Sequence, residues 1–203
     1  MDNKLEFRST SGKVNKGENE ESRTIEGYAL LFGVPSDGLD FEEVIVEGAL
    51  DGVIEKSDVF ALLNHGNERG ILARSYLGEG SLFLDADKKG LKYRFEAPKT
   101  ALGDEVLEYL RRGEISQSSF AFTVENDKWE KRSDGTWKRT INKIAKLYDV
   151  SPVYNAAYSR TSVYLRGKEM EEARLAEEQK RLEEETRSIP ESYYEAMERN
   201  FKL

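Results

Sequence analysis

The sequence predicts an α+β protein that is mainly β, a small β-barrel or sandwich that carries helices. Up to Arg166, apolar and aromatic residues come in short clusters separated by Gly, Asp and Asn, which is typical of short strands joined by turns. One internal segment has clear helix start and stop signals. Beyond Arg166 charged residues dominate. A chain of 203 residues therefore fits one domain, residues 1–166, and an appendage, residues 167–203.

Three segments of the first part predict strands. Residues 25–32 and 59–63 are apolar runs of strand length. Leu91, Tyr93 and Phe95 alternate with charged residues, which indicates a strand with one buried face.

A hairpin is predicted around Asp134 and Gly135. This dipeptide suits the two positive-φ positions of a type I′ turn. A two-residue loop at this point would set Glu130 opposite Arg139, a favourable pair across the two strands.

One helix is predicted between Thr100 and Gly113. Thr100 can cap its N-terminus, and Gly113 can end it. Val106, Leu107 and Leu110 supply an apolar face at helical spacing.

The appendage is predicted to be a charged helical tail with a short amphipathic end. Residues 167–203 carry seven Lys or Arg and eleven Glu, and residues 168–187 are typical of one exposed helix. Tyr193, Tyr194 and Met197 then begin a small apolar stripe that ends at Phe201. A stripe this small does not fold alone, so we expect it to dock on the first domain or on another protein.

The composition excludes several classes of function. The chain has no Cys and a single His, so disulfides, thiolate nucleophiles and the usual zinc sites are excluded, and we expect neither a metal nor a cofactor. A net charge of −8 argues against a protein that coats nucleic acid. No run of 18 apolar residues exists, so we expect no membrane span.

Three residues are candidates for chemistry. His65 follows the apolar run 59–63, Ser119 lies on the strand face opposite Phe120, and Asp149 is an acid among apolar residues. Together they are the residue types of a Ser–His–Asp triad. Each also has an ordinary explanation, as a loop histidine, a polar outer face and an acid paired with Lys or Arg. The pattern leaves open whether Ser119 or the neighbouring Ser118 would be the nucleophile.

Four blocks of sequence, in this order, resemble one known family. They are Asn-His-Gly at 64–66, the helix end Arg-Arg-Gly-Glu-Ile at 111–115, Ser-Ser-Phe-Ala-Phe at 118–122, and Leu-Tyr-Asp-Val-Ser-Pro-Val-Tyr-Asn-Ala-Ala-Tyr at 147–158. This order is similar to that in the prohead proteases of tailed phages, and the resemblance runs from about residue 5 to 165. It implies a β-barrel surrounded by helices, the fold of the herpesvirus maturation proteases.

The resemblance also implies roles for the candidate residues. His65 matches the family's general base and Ser119 its nucleophile. Asp149 matches a carboxylate position that is often Glu, and its shorter side chain weakens the expectation that it reaches His65. Backbone N–H groups or Arg160 are candidates for the oxyanion donors.

The implied function is a serine endopeptidase of capsid maturation, acting in the host cytoplasm inside the assembling procapsid. Its partners would be the capsid protein, whose scaffolding segment it would cleave, and other copies of its own chain. Two alternatives stay open. One is a non-enzymatic capsid assembly or scaffolding protein, and the other is a hydrolase that uses a pair of its 39 Asp and Glu residues.

Overall fold

The computed structural model describes residues 4–16 and 22–154, together with residues 176, 179 and 180. The described ranges 4–16 and 22–154 fall within one compact unit, Met1–Arg160. The predicted boundary at 166, and almost all of the predicted helical tail at 167–203, lie outside the described residues and stay predictions.

The described part of the chain is mainly β, which confirms that part of the predicted fold class. Its strands are β1 (Glu6–Lys16), β2 (Thr24–Leu31), β3 (Glu42–Ile45), β4 (Asp58–Ala61), β5 (Ala73–Tyr76), β6 (Glu79–Gly80), β7 (Leu82–Ala86), β8 (Gly90–Glu96), β9 (Gln117–Lys131) and β10 (Trp137–Val153). A 3-10 turn spans Ile54–Lys56, and helix α1 spans Ala101–Arg112.

The strands form one sheet in the order β6-β5-β4-β10-β9-β1-β2-β8-β7, and β3 pairs with the early part of β10. The pairs β10–β3 and β10–β4 are parallel, and the other pairs are antiparallel. Strands β5 and β6 approach β7 at the two ends of this path, but no ladder joins them among the described residues. The predicted closed barrel and its surrounding helices are therefore not confirmed.

The core is built from the alternating faces of the central strands. Leu91, Tyr93 and Phe95 of β8 are at most 1% exposed, as their alternation predicts. Phe120 and Phe122 of β9 are fully buried, and their rings stack 4.8 Å apart. Each large side chain buried in this way contributes roughly 1.5–3 kcal/mol to folding. This packing fixes which way the other face of β9 points.

Helix α1 begins and ends where the sequence predicts. The Oγ1 of Thr100 accepts a hydrogen bond from the backbone N–H of Gly103 at 3.3 Å. Gly113 has a φ of 75°, and its N–H donates to the carbonyl of Leu110. Only glycine adopts this left-handed conformation freely, so the helix stops there. Val106 and Leu107 are buried, as predicted.

The β9–β10 hairpin exists, but its predicted loop type is wrong. A type I′ turn needs positive φ at both central residues, and of Asp134 and Gly135 only Gly135 has it, at 85°. The N–H of Arg132 donates to the carbonyl of Thr136, and the N–H of Gly135 donates to the carbonyl of Arg132. This is a three-residue loop in which glycine follows a tight turn and forms a bulge.

The longer loop shifts the hairpin by one residue. Lys138, rather than Arg139, lies opposite Glu130, and Arg139 lies opposite Trp129. The side chain of Arg139 is therefore buried, 5% exposed, instead of pairing on the surface. A shift of one residue moves every side chain of a strand to the opposite face.

Candidate active site

Strand alternation on β9 separates the two neighbouring serines. Ser118 is fully buried, and its hydroxyl is 2.8 Å from the hydroxyl of Tyr93 on the core side. Ser119 points to the other face, where it is 5% exposed and lies near His65. The period-2 argument from the sequence therefore placed the two serines on opposite faces correctly, and the structure shows that Ser119 is the one beside the histidine.

His65 lies on a tight turn that directly follows the apolar run of β4. The N–H of Gly66 donates to the carbonyl of Leu63 at 3.0 Å, and the two residues form a β-bridge. The residues between them, Asn64 and His65, have φ values of 53° and 61°. Positive φ at both central positions is typical of a type I′ turn and costs energy when neither residue is glycine. The N–H of Asn64 donates to the carbonyl of Pro152, which ties the turn to β10.

Asp149 comes to the same place because β10 lies between β4 and β9. It is paired with Phe60 of β4 on one side and with Ala121 of β9 on the other. The parallel pairing of β4 with β10 brings the end of β4, and the turn that follows it, alongside the end of β10. Asp149 is 6% exposed.

The three predicted residues are joined in series by two hydrogen bonds. The Nδ1 of His65 is 2.7 Å from the Oδ1 of Asp149, and its Nε2 is 2.7 Å from the Oγ of Ser119. A carboxylate only accepts, so neutral His65 carries its proton on Nδ1 and leaves Nε2 free to accept from Ser119. The expected shortfall of the Asp side chain is not seen, since it reaches His65 at full hydrogen-bond contact.

Ser119 has a second acceptor. Its Oγ lies 2.8 Å from the backbone carbonyl of Arg8, the residue before its ladder partner Ser9 on β1. The hydroxyl has one proton, so it donates either to this carbonyl or to His65. Proton transfer to the imidazole requires the second of these arrangements.

Strand β1 is fixed beside the site by four buried charged side chains, here called the ion cluster: Glu6, Arg8, Glu43 and Arg139. The guanidinium of Arg8 donates to Glu43 at 2.5 Å and to Glu6 at 2.6 Å. Arg139 also donates to both acids, at 3.0 and 2.6 Å. All four residues are at most 5% exposed, and buried charges require such pairing.

The ion cluster controls the ionisation of Glu43. Complete burial alone would raise the pKa of this carboxyl group. The charge and hydrogen bond of Arg8, the charge of Arg139 and a hydrogen bond from Ser36 outweigh burial and hold the pKa below its ordinary value of 4.5. Glu43 is therefore charged at neutral pH.

An aromatic ring also packs against the histidine. The ring of Phe7 on β1 meets the His65 ring edge-on, with the centroids 4.8 Å apart and the planes at 70°. This arrangement is a favoured one for two aromatic rings. Strand β1 thus contacts the imidazole through the Phe7 ring as well as Ser119 through the Arg8 carbonyl.

The sequence reasoning missed several residues around the triad. Glu6 and Arg8 are two apart on β1, a spacing that would have placed them on one face had this strand been recognised. Ser151 is two residues beyond Asp149 on β10 and donates to its carboxylate at 2.6 Å. Arg160, a candidate oxyanion donor, lies outside the described residues.

In the described part of the chain, no group of three or more His, Asp or Glu side chains is arranged to hold a metal ion. No helix in that part has the length and hydropathy that a membrane span needs.

Comparison with known proteins relates the chain to a protease family and to a solved phage structure. The capsid assembly protease of bacteriophage T4 has 13% sequence identity and a TM-score of 0.48, over 75% of this chain and 98% of the phage T4 chain. No curated protein sequence matches. The sequence model of the caudovirus prohead serine protease family matches residues 10–175, most of the chain. On that match, the chain belongs to the caudovirus prohead serine protease family.

Proposed function

We propose that this chain is an active serine endopeptidase of phage capsid maturation, with Ser119 as nucleophile, His65 as general base and Asp149 as the group that orients the imidazole. The observation that carries the proposal is the series of two 2.7 Å hydrogen bonds from Ser119 through His65 to Asp149. Membership of a serine protease family supports the reaction class. A purely structural capsid protein has no need of this arrangement.

The reaction follows from the positions of the protons. The Oγ of Ser119 attacks the scissile carbonyl carbon while its proton passes to the Nε2 of His65. The negative charge of Asp149 stabilises the imidazolium that forms. The imidazolium then gives the proton to the leaving amine, and an ester between Ser119 and the substrate remains. Water, deprotonated by His65, hydrolyses the ester and restores the hydroxyl of Ser119.

The substrates proposed are the scaffolding segment of the capsid protein and the chain itself. The support is the family, whose members are prohead proteases. The site of action would be the assembling procapsid in the host cytoplasm, and the partners would be the capsid protein and other copies of this chain.

The test is cleavage of the unprocessed capsid protein of the same phage. The full chain is incubated with this protein, and the products are identified by mass. Ser119→Ala and His65→Ala should each slow cleavage by about 10⁶-fold. Ser118→Ala, which removes a neighbouring hydroxyl outside the triad, is the matched control and should cleave at the parent rate. Equal cleavage by all three variants, or none by the parent chain, would favour the alternative of a non-enzymatic assembly protein.

A further inference from the structure

Asp149 receives two hydrogen bonds on the same oxygen. Its Oδ1 accepts from the Nδ1 of His65 at 2.7 Å and from the Oγ of Ser151 at 2.6 Å. Ser151 is fully buried, so its hydroxyl does not exchange this contact for bulk water. A hydrogen bond to a charged acceptor is shorter and stronger than one between neutral groups.

The sheet holds Ser151 next to the proposed catalytic residues. Asp149 and Ser151 are two apart on β10 and so share one face. Ser151 lies directly opposite Ser119 in the β9–β10 ladder, and Asp149 lies opposite Ala121. The backbone that carries the nucleophile therefore also fixes where the Ser151 hydroxyl can reach.

The carboxylate of Asp149 needs such a restraint. The last torsion of an Asp side chain is broad, so the bond to His65 leaves the carboxylate free to rock about that contact. A second donor on the same oxygen sets the plane in which the carboxylate faces the imidazole. Since a small error in geometry lowers catalysis steeply, the second donor should increase the rate.

We propose that Ser151 is a positioning residue of this site, a fourth member that holds the Asp149 carboxylate against His65. The inference rests on the proposed function, because it requires that the Ser119–His65–Asp149 series performs catalysis. Ser151 does not touch the reacting atoms and acts through Asp149.

The test measures labelling of the full chain by a fluorophosphonate, which reacts with an activated serine and needs no natural substrate. Ser151→Ala should lower the maximal rate of labelling about tenfold and leave the half-saturating concentration unchanged. Ser151→Thr keeps the hydroxyl and should recover most of the rate. Ser118→Ala is the matched control, because Ser118 is equally buried but bonds to Tyr93.

A double-mutant cycle separates positioning from general support of the fold. In an Asp149→Ala background, Ser151→Ala should cause no further loss, since the group through which it acts is gone. A merely structural role would lower the rate by the same factor in both backgrounds. Circular dichroism of each variant checks that it is folded at the labelling temperature. If Ser151→Ala is unfolded there, Ser151→Cys, a weaker donor, should label at an intermediate rate.

The outcomes distinguish the two proposals. If Ser151→Ala is labelled at the parent rate, the role of Ser151 is overturned. It is also overturned if Ser151→Ala lowers the rate by the same factor in the parent and in the Asp149→Ala background. Either outcome leaves the protease proposal intact. No labelling of the parent chain, or equal labelling of Ser119→Ala, overturns both.

Discussion

Ser119 meets His65 because of the two-residue period of β9. Phe120 and Phe122 are buried in the core, and Ser118 points to the same side, where it contacts Tyr93. Ser119 is left facing His65, with Ser151 directly opposite on β10. The same burial that stabilises the strand thus orients the proposed nucleophile.

Among single substitutions in the site, we expect Asp149→Asn to slow cleavage less than Ser119→Ala does. Asparagine removes the negative charge that stabilises the imidazolium, so cleavage should slow by about 10⁴-fold, against about 10⁶-fold for loss of the nucleophile. Steady-state cleavage of the capsid protein by the two purified variants measures this. Equal losses would make Asp149 as central as the nucleophile, and no loss would place the third member elsewhere.

Part of the site could be predicted from residues alone. Strand periodicity puts Ser118 and Ser119 on opposite faces, the family resemblance selects Ser119, and the single histidine left one candidate for an imidazole base. That the three residues meet could not be predicted, because it depends on the parallel pairing of β4 with β10. A local pattern carries no information on which distant strands become neighbours. Ser151 was missed for a related reason, since its partner Asp149 had no assigned face.

Among the elements, the turn that carries His65 has the clearest conformational demand. Asn64 and His65 both have positive φ. Asn64→Val should lower the free energy of unfolding by about 1–3 kcal/mol, because a β-branched side chain is strained there, and should slow fluorophosphonate labelling as His65 moves. Asn64→Gly is the matched control and should keep both properties. If Asn64→Val equals Asn64→Gly in both its free energy of unfolding and its labelling rate, this account of the turn is wrong.

The ion cluster gives a prediction about stability. Glu43→Gln should lower the free energy of unfolding at neutral pH by about 3 kcal/mol, since Arg8 and Arg139 lose a buried counter-charge. Denaturant unfolding of the parent and the variant measures the difference. Glu42→Gln is the control, because the neighbouring Glu42 pairs with Arg132 on the outer face and should matter little.

The difference in the free energy of unfolding between the parent and Glu43→Gln should depend on pH. The pKa of Glu43 is lower in the folded protein than its ordinary value of 4.5, so the charged form adds stability that is complete above about pH 4.5. That stability is lost as the pH falls through the folded pKa. The gap between parent and Glu43→Gln should therefore be constant near neutral pH and shrink on acidification. A gap that persists at the lowest pH at which both chains fold would contradict the assigned charge.

In the β9–β10 hairpin, the local sequence predicts the turn but not the register of the two strands. The sequence around Asp134 and Gly135 correctly predicts a hairpin, because glycine is needed at positive φ in both the two-residue and the three-residue loop. The loop length then decides the register. With the longer loop, the side chain of Arg139 points toward the ion cluster, where it donates to Glu6. Helix α1 was predicted accurately because its limits are local, a Thr cap and a left-handed Gly.

For the whole molecule, the mainly β class follows from many short apolar clusters, but the sheet order does not. Strand β1 was not recognised in the sequence because its polar, weakly alternating residues resemble a loop. It nevertheless lies between β9 and β2 in the sheet and supplies the Arg8 carbonyl to Ser119. The contribution of the N-terminal strand thus comes from its pairing partners, which composition does not reveal.

Removal of the predicted tail tests the division of the whole chain into a domain and an appendage. A chain truncated after Arg166 should keep its thermal transition and its rate of peptide cleavage, because the predicted tail helix buries little apolar surface. It should lose incorporation into procapsids if the stripe that ends at Phe201 docks on a capsid or scaffold surface. Raised cleavage would instead indicate that the tail restrains the protease. A truncated chain that fails to fold would show that the domain boundary at 166 is wrong.

The central claim is tested most directly by locating the covalent adduct. The full chain is labelled with a fluorophosphonate, digested, and analysed by peptide mass spectrometry. We predict a single adduct on Ser119, with none on Ser116 or Ser118, and its loss in His65→Ala, because no other imidazole can remove the proton. An adduct on Ser118, or labelling of Ser119 that is unchanged in His65→Ala, would contradict the account.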